Sequence, residues 1–206
     1  MSSLKECMLV GRTNVGKTLL FLNFAESCGA RQIELRIRRP GVPGEEIERL
    51  PIHAARMRLV GGRRHQTRWL QSIDLALPKG KGRRRFRLTD AAGLTDSIHE
   101  ADDVRMAVAQ ALRELRQADL VVHVLDAAAI GERGGAEALP DIDVQISRYA
   151  PLRAPYLIVA NKMDLPWAVT GLAIIRRTFA HQRVVPVSAL ERTGFREVKA
   201  FVWDHL

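Results

Sequence analysis

A glycine-rich segment near the N-terminus has the residue types and spacing that hold phosphate groups. Residues 11–18 read GRTNVGKT, between an apolar run at 7–10 and a helical pattern at 19–26. The glycines let backbone N–H groups surround phosphate oxygens, and the start of the helix adds partial positive charge. We expect Lys17 to reach the β- and γ-phosphates of a nucleotide and the Thr18 hydroxyl to bind Mg²⁺. The residues of this segment expected to contact nucleotide are Asn14, Val15, Gly16, Lys17 and Thr18.

A second motif supplies a carboxylate for the same metal ion. Asp90 follows an apolar strand pattern at 86–88 and opens the sequence DAAG at 90–93. A nucleoside triphosphate site needs such a carboxylate to hold the water shell of Mg²⁺. The backbone N–H of Gly93 is then placed to approach the γ-phosphate.

Two further motifs predict which base is bound. The sequence NKMD at 161–164 directly follows a buried strand pattern at 156–160. An aspartate at position 164 can accept hydrogen bonds from N1–H and the exocyclic amine of guanine, a pair of donors that adenine lacks. The aliphatic stem of Lys162 can cover the base. The residues that complete this base site are Asn161, Lys162, Asp164 and, after the strand pattern at 184–187, Ser188, Ala189 and Leu190, where a backbone N–H can meet guanine O6.

These four motifs, in this order, resemble those of the translation-factor-related GTPases, and specifically the TrmE–Era–EngA branch of Era-like small GTPases. GRTNVGKT is similar to that branch's GRPNVGKS, DAAG replaces DTPG or DTAG, and NKMD and SAL match. The tripeptide QTR at 66–68 resembles the branch's TTR or VTR, which makes Thr67 the candidate threonine of switch I that senses Mg²⁺ and the γ-phosphate. The resemblance implies a GTPase whose catalytic residues are Lys17, Thr67 and Gly93 and whose Mg²⁺ is held by Thr18, Thr67 and Asp90.

The sequence departs from Ras-like GTPases at the water-orienting position. Leu94 follows Gly93, where Ras-like proteins have a glutamine, so we expect slow intrinsic hydrolysis and a different source of charge stabilisation. In some relatives the residue equivalent to Asn14 holds a K⁺ ion near the β- and γ-phosphates. Asn14 is therefore a candidate K⁺ ligand; the alternative is that it only hydrogen-bonds within the loop.

The fold expected from these patterns is α/β, a P-loop NTPase G domain that occupies residues 1–206 as a single domain. We expect a mainly parallel six-stranded sheet with one antiparallel edge hairpin and helices on both faces. Apolar runs at 120–125, 156–160 and 184–187 predict buried strands, and residues 69–88 predict the hairpin. Helical patterns lie at 143–150, 168–180 and 195–206, and a capping box at Ser97 and Glu100 predicts another helix ending near 117.

The interval between Lys17 and Thr67 is longer than a compact G domain needs, which predicts an insertion in switch I at about 31–66. Polar and apolar residues alternate at 32–38 and again at 55–60. Two structures fit: an additional basic-faced hairpin, or a loop with a short helix near 45–50.

Positive charge is concentrated around this insertion. The chain has 32 Lys and Arg against 23 Asp and Glu, a net charge of +9, whereas residues 31–87 alone contain sixteen basic and five acidic residues. A basic surface favours polyanionic partners, so rRNA or the ribosome is a candidate partner through residues 31–87. A solvated arginine-rich face and an acidic protein partner are the alternatives.

Composition excludes other classes of protein. An apolar content of 47% excludes a disordered chain, and no run approaches the length of a membrane span. The two cysteines fit neither a disulfide framework nor a metal cluster, and we expect a cytoplasmic protein. The alternative to a GTPase is a nucleotide-dependent interaction module with negligible hydrolysis that docks a protein or forms a homodimer through the insertion.

Overall fold

The computed structural model describes residues 4–39, 42–60, 70–91, 115–135 and 138–206. The strands are β1 (Lys5–Val10), β2 (Gln32–Arg38), β3 (Glu46–Pro51), β4 (Leu70–Lys79), β5 (Gly82–Asp90), β6 (Leu120–Asp126), β7 (Tyr156–Asn161) and β8 (Val184–Pro186). The helices of these residues are α1 (Lys17–Ser27), α2 (Ile52–Val60), α3 (Ala127–Arg133), α4 (Asp141–Tyr149), α5 (Ala168–Thr178) and α6 (Phe195–His205).

All of these strands form one sheet in the order β3-β2-β4-β5-β1-β6-β7-β8. The pairings from β5 through β1, β6 and β7 to β8 are parallel, and those among β3, β2, β4 and β5 are antiparallel. The predicted α/β fold with a mainly parallel sheet is confirmed. The carboxyl ends of the parallel strands meet at one edge, which is where ligands bind in sheets of this kind.

The expected number of strands was wrong. Within the described ranges the sheet has eight strands instead of six, and the β4–β5 hairpin is interior because β2 pairs with the outer side of β4. The two additional strands lie in residues 31–66, called the insertion below, and the apolar residues Ile33, Leu35 and Ile37 are buried on the core side of β2. The antiparallel edge of the molecule is therefore the β2–β3 hairpin.

Within the insertion, the hairpin alternative is confirmed and the helix near 45–50 is wrong, since these residues lie in or beside β3. The strand indicated by the alternation at 55–60 is also wrong, because these residues belong to helix α2. Ile52 and Ala55, three residues apart, are the buried positions of α2, and they belong to the same core cluster as residues of α1.

Helices pack on both faces of the sheet and divide the core into two clusters. One contains Cys7 and Leu9 of β1 with residues of α1, α2 and α6, and the other contains Met8 and Val10 with residues of α3, α4 and α5. This division follows from the alternation of side chains along a strand. The helix predicted from Ser97 to about 117 lies mostly in residues 92–114, which are outside the described part of the chain.

The central strands also bury a paired polar group. The ring of His123 on β6 is fully buried, with Nδ1 2.6 Å from the Tyr156 hydroxyl oxygen and Nε2 3.0 Å from Oδ1 of Asp143. Both ring nitrogens therefore have partners, so this histidine is a structural part of the core.

Among the helices of the described ranges, none is both long enough and apolar enough to cross a lipid bilayer.

Candidate nucleotide-binding site

The phosphate-binding segment forms a tight loop between β1 and α1. Gly11 has φ +141°, and a Cβ there would lie 2.4 Å from the carbonyl oxygen of Val124; at Gly16, with φ +94°, it would lie 2.4 Å from Nδ2 of Asn161. Only glycine fits at these two positions. Because Gly16 has no side chain to cap α1, the helix N-terminus faces the loop, as a phosphate site requires.

Lys17 is buried inside this loop. Its Nζ donates to the carbonyl oxygens of Gly11, at 2.9 Å, and Arg12, at 2.7 Å. The ammonium group is thereby held where the loop curves around the site. Asn14 lies at the exposed turn of the same loop, with φ +62°.

The structure brings Thr18 and Asp90, the two candidate Mg²⁺ residues of the described chain, into contact. The Thr18 hydroxyl donates to Oδ2 of Asp90 at 2.7 Å, although the two residues are far apart in the chain. Asp90 is fully buried at the end of β5, and its Oδ1 has no hydrogen-bond partner among the described residues. Burial raises the pKa of Asp90 to about 6, opposed by the charge of Lys17 and the hydrogen bond from Thr18.

This arrangement fits a hydrated Mg²⁺ ion. An orphaned, buried carboxylate oxygen carries a desolvation cost that a cation or its water shell would offset. Hydroxyl and carboxylate oxygens are the ligands Mg²⁺ prefers, and it usually keeps several waters in nucleotide sites. Thr18 and Asp90 would hold the ion and its waters beside the phosphates.

Asn161 joins the phosphate loop to the base loops. Its Nδ2 donates to the carbonyl oxygen of Val15 at 2.8 Å, and its Oδ1 accepts from the backbone N–H of Ala189 at 2.9 Å. Its side chain is buried at the end of β7, so both ends of the amide are used. The amide thus fixes the distance between the part of the site for phosphate and the part for base.

Asp164 is oriented by Ser188. The Ser188 hydroxyl donates to Oδ1 of Asp164 at 2.5 Å and accepts from the backbone N–H of Glu191 at 3.0 Å. One carboxylate oxygen is thus anchored to the second base loop. In that loop the N–H groups of Ser188, Ala189 and Glu191 all have protein partners, so Leu190 is the residue of the SAL motif whose N–H remains a candidate donor to guanine O6.

Lys162 is held by a residue that the motifs did not identify. It has φ +66°, and its Nζ lies 2.6 Å from Oδ2 of Asp126. Asp126 ends β6 and also caps α3 by accepting from the backbone N–H of Ala129. The sequence offered one signal for Asp126: it follows a buried strand pattern, as the motif residues do. The pairing of that strand, β6, with β7 then places it beside Lys162.

Thr67 and Gly93 lie outside the described residues.

Five described arginines of the insertion form ion pairs within residues 31–87. All five acidic residues of 31–87 pair with an arginine of the same segment, in the pairs Glu34 with Arg49, Glu45 with Arg36 and Arg38, Glu46 with Arg39, Glu48 with Arg58, and Asp74 with Arg36 and Arg87. These five arginines already have carboxylate partners, so each must give one up before it can contact a polyanion.

Unpaired cations collect instead at the tip of the β4–β5 hairpin, residues 79–85, called the hairpin tip below. Lys81, Arg83 and Arg85 are exposed and have no ion pair within the described chain. Arg84 points to the other side of the strand, donates to the carbonyl oxygen of Trp203 at 2.7 Å, and lies 4.8 Å from the centre of its ring. The hairpin tip is at the opposite end of β5 from Asp90, roughly 25 Å away.

Comparisons with known proteins agree with this geometry. Residues 52–162, more than half of the chain, match the family described as 50S ribosome-binding GTPase. GTPase Obg of Shouchella clausii is 31% identical over 126 residues, which make up 60% of this chain and 29% of that protein. GTPase Obg of Bacillus pumilus is 31% identical over 128 residues, 61% of this chain and 29% of that protein. The chain therefore spans about three tenths of the length of these curated relatives.

Solved structures share the fold. Aquifex aeolicus Era bound to GDP and AlF4⁻ superposes with a TM-score of 0.61 at 19% identity, over 100% of this chain and 57% of that one. The signal recognition particle receptor SRb of Chaetomium thermophilum, in its complex with GTP and SRX, superposes with a TM-score of 0.62 at 18% identity, over 100% of both chains. These structures show the fold, and the family match over residues 52–162 shows that the chain belongs to the 50S ribosome-binding GTPase family.

Proposed function

We propose that this chain is a Mg²⁺-dependent molecular switch that binds guanine nucleotides and hydrolyses GTP to GDP and phosphate. The observation that carries the proposal is the bonded unit in which Asn161 ties the phosphate loop at Val15 to the base loop at Ala189. Phosphate and base recognition are thereby set at a fixed separation, and Asp164 is oriented by the same loop. Such prior positioning reduces the entropy lost on binding.

The roles of the individual residues follow from charge and position. Lys17 would bind the β- and γ-phosphates, and Thr18 and Asp90 would hold Mg²⁺, which neutralises phosphate charge as the γ-phosphoryl group leaves. Thr67 and Gly93 are assigned by motif to the γ-phosphate and the metal. Leu94 cannot orient water by hydrogen bonding, so intrinsic turnover is slow.

Within the family we place the chain in the Era-like branch, with residues 1–206 as one G domain that carries an insertion at about 31–66. The loop motif GRTNVGKT and the NKMD and SAL motifs support this placement. We assign Asn14 to K⁺ binding, because its side chain is exposed at the mouth of the loop and has no hydrogen bond to any described residue. A K⁺ ion there would stabilise charge on the phosphates in place of a side chain.

Exchanging the hydrogen-bonding pattern of Asp164 tests the guanine assignment. Asp164→Asn replaces one acceptor oxygen with a donor, so affinity for GDP should fall at least a hundredfold while xanthosine diphosphate, which presents an acceptor at that position, becomes the preferred ligand. Calorimetric titration of both nucleotides measures this. Asp119→Asn, which removes a carboxylate from a bond to the Glu6 N–H, is the control and should leave the preference unchanged. Unaltered GDP preference in Asp164→Asn would refute the assignment.

We further propose that a polyanionic partner, ribosomal RNA, binds at the hairpin tip and not along the insertion. Two observations support this: five described arginines of the insertion are paired with acids of the same segment, and Lys81, Arg83 and Arg85 are exposed without such partners. Phosphate contacts by unpaired cations release counterions, whereas a paired arginine must first give up its carboxylate.

The salt dependence of RNA binding distinguishes these two surfaces. Replacing Lys81, Arg83 and Arg85 together by alanine should weaken binding to a ribosomal RNA duplex and reduce the slope of log affinity against log salt by about two to three. A control that replaces Arg38, Arg49 and Arg58 removes the same charge and should change the slope by less than one. Equal effects of the two sets would contradict the assignment of the hairpin tip, and absence of RNA binding by the unaltered protein would refute the RNA partner.

A further inference from the structure

A chain of hydrogen bonds connects the insertion to the base-recognition loop. Nε of Arg56, on helix α2 of the insertion, donates to Oδ1 of Asn23 at 2.9 Å. Nδ2 of Asn23, on α1, donates to the carbonyl oxygen of Ala189 at 2.7 Å. Asn23 is buried, with 2% of its surface exposed; its bond to Ala189 is buried and its bond to Arg56 is partly buried. Ala189 is in turn bonded through its N–H to Asn161.

A second link runs parallel to the first. The carboxylate of Glu26, one helical turn after Asn23 on α1, accepts from Arg56 and also from Arg192, whose guanidinium lies 2.7 Å away. Arg192 follows Leu190 by two residues and belongs to the same loop, residues 188–192. Both links therefore end in this loop, and both depend on Arg56 at their other end.

The chemistry of the amide gives Arg56 a directing role. A guanidinium only donates hydrogen bonds, so Arg56 requires the amide oxygen of Asn23 to face it and the amide NH₂ to face Ala189. Without Arg56 this orientation of the amide loses its partner, and Glu26 is left to a single arginine. The loop carrying Leu190 would then be held less firmly in the position where its N–H meets a guanine oxygen.

Arg56 reaches α1 because α2 packs there. Ile52 and Ala55 of α2 are buried in the core cluster that includes residues of α1. Arg58, two residues after Arg56 on the same helix, pairs instead with Glu48 of β3. The position of α2 against α1 therefore determines how firmly the loop of residues 188–192 is held. A partner that separated α2 from α1 would make this loop more mobile.

We propose that Arg56 is a positioning residue for guanine recognition, and that contact between the insertion and α1 sets the rate at which GDP is released. The inference rests on the proposed function in one respect, that the protein binds guanine nucleotide. It adds a route by which the insertion controls that binding.

The test measures release of a fluorescent GDP analogue from the full chain. Arg56→Ala should raise the dissociation rate about tenfold, which corresponds to the loss of charge-assisted hydrogen bonds, while the association rate changes little. Arg56→Lys, which keeps the charge but replaces the two separate donor nitrogens of the guanidinium with one ammonium group, should give an intermediate rate. Arg58→Ala is the matched control on the same helix and should stay within twofold of the unaltered protein.

A second readout separates positioning from a general loss of stability. Adenine has an amine where guanine has O6, so a displaced Leu190 N–H should lower the ratio of GDP to ADP affinity in Arg56→Ala but not in Arg58→Ala. An unchanged rate and ratio in Arg56→Ala, or equal changes in Arg58→Ala, would overturn the inference while leaving guanine binding intact. Failure of the unaltered protein to bind the analogue would instead refute the proposed function, and this inference with it.

Discussion

At the scale of single residues, the candidate nucleotide site consists of side chains that lie at or after the ends of different strands. Sequence motifs identified Thr18, Asp90, Asn161, Asp164 and Ser188, because each follows a buried strand pattern and the ends of parallel strands meet at one edge. The structure brings these residues together as hydrogen-bonded pairs.

Other residues could not be found in this way. Asn23 and Arg56 lie within helices, and their roles depend on which helices pack side by side. Asp126 needed the pairing of β6 with β7 to place it beside Lys162. These are tertiary relationships that no local spacing in the sequence encodes.

Asp90 carries a prediction in which function and stability change in opposite directions. Asp90→Asn removes a buried charge whose Oδ1 lacks a partner, so thermal stability without metal should be kept or raised. The same change removes the charge that attracts Mg²⁺, so chelating Mg²⁺ should no longer accelerate GDP release. Melting temperature and release rate with and without a chelator check both effects.

The control for Asp90 is Asp74→Asn, which removes a carboxylate on the neighbouring strand β4 that is paired with Arg36 and Arg87. It should lower stability slightly and leave the response to Mg²⁺ intact. A variant Asp90→Asn that still responds to chelation like the unaltered protein would contradict the metal assignment.

At the scale of elements, the insertion shows where periodicity fails as a guide. The alternation at 55–60 predicts a strand, but the buried residues Ile52 and Ala55 are spaced for a helix and Met57 is 75% exposed. Ile33, Leu35 and Ile37, in contrast, alternate in a true strand because their apolar side faces a core. The same alternation thus gives a strand at 32–38 and a helix at 55–60, and the difference lies in which side chains of each segment pack against the core.

The contact between α3 and α5 provides an element-scale prediction. A Cβ on Gly171 of α5 would lie 1.8 Å from the carbonyl oxygen of Ala127, and one on Gly131 of α3 would lie 2.0 Å from that of Trp167. Backbone atoms cannot yield as a side chain does, so Gly171→Ala should destabilise the protein by about 1–3 kcal/mol despite the higher helix propensity of alanine. Urea denaturation measures this.

The same variant should weaken GDP binding, since α5 begins four residues after Asp164 and would be displaced with it. Thr170→Ala, at an exposed position of the same helix, is the control and should be neutral or slightly stabilising. Equal stability of the two variants would show that the helices separate without cost.

At the scale of the whole molecule, the sheet separates two kinds of surface. Its carboxyl edge assembles the nucleotide site, and the hairpin tip at the far end of β5 presents unpaired cations. The net charge of +9 predicted a basic protein, but only the structure shows which cations are paired and which are exposed. Distribution of charge could not be predicted because ion pairing depends on strand register.

Phosphate release from GTP tests the central claim most directly. With Mg²⁺ and K⁺, the unaltered protein should release phosphate slowly from GTP and negligibly from ATP, and replacing K⁺ by Na⁺ should slow release about tenfold or more if Asn14 holds K⁺. Equal rates in the two salts would remove the K⁺ assignment alone. Tight GTP binding with no phosphate release in either salt would contradict the account and favour an interaction module that only binds nucleotide.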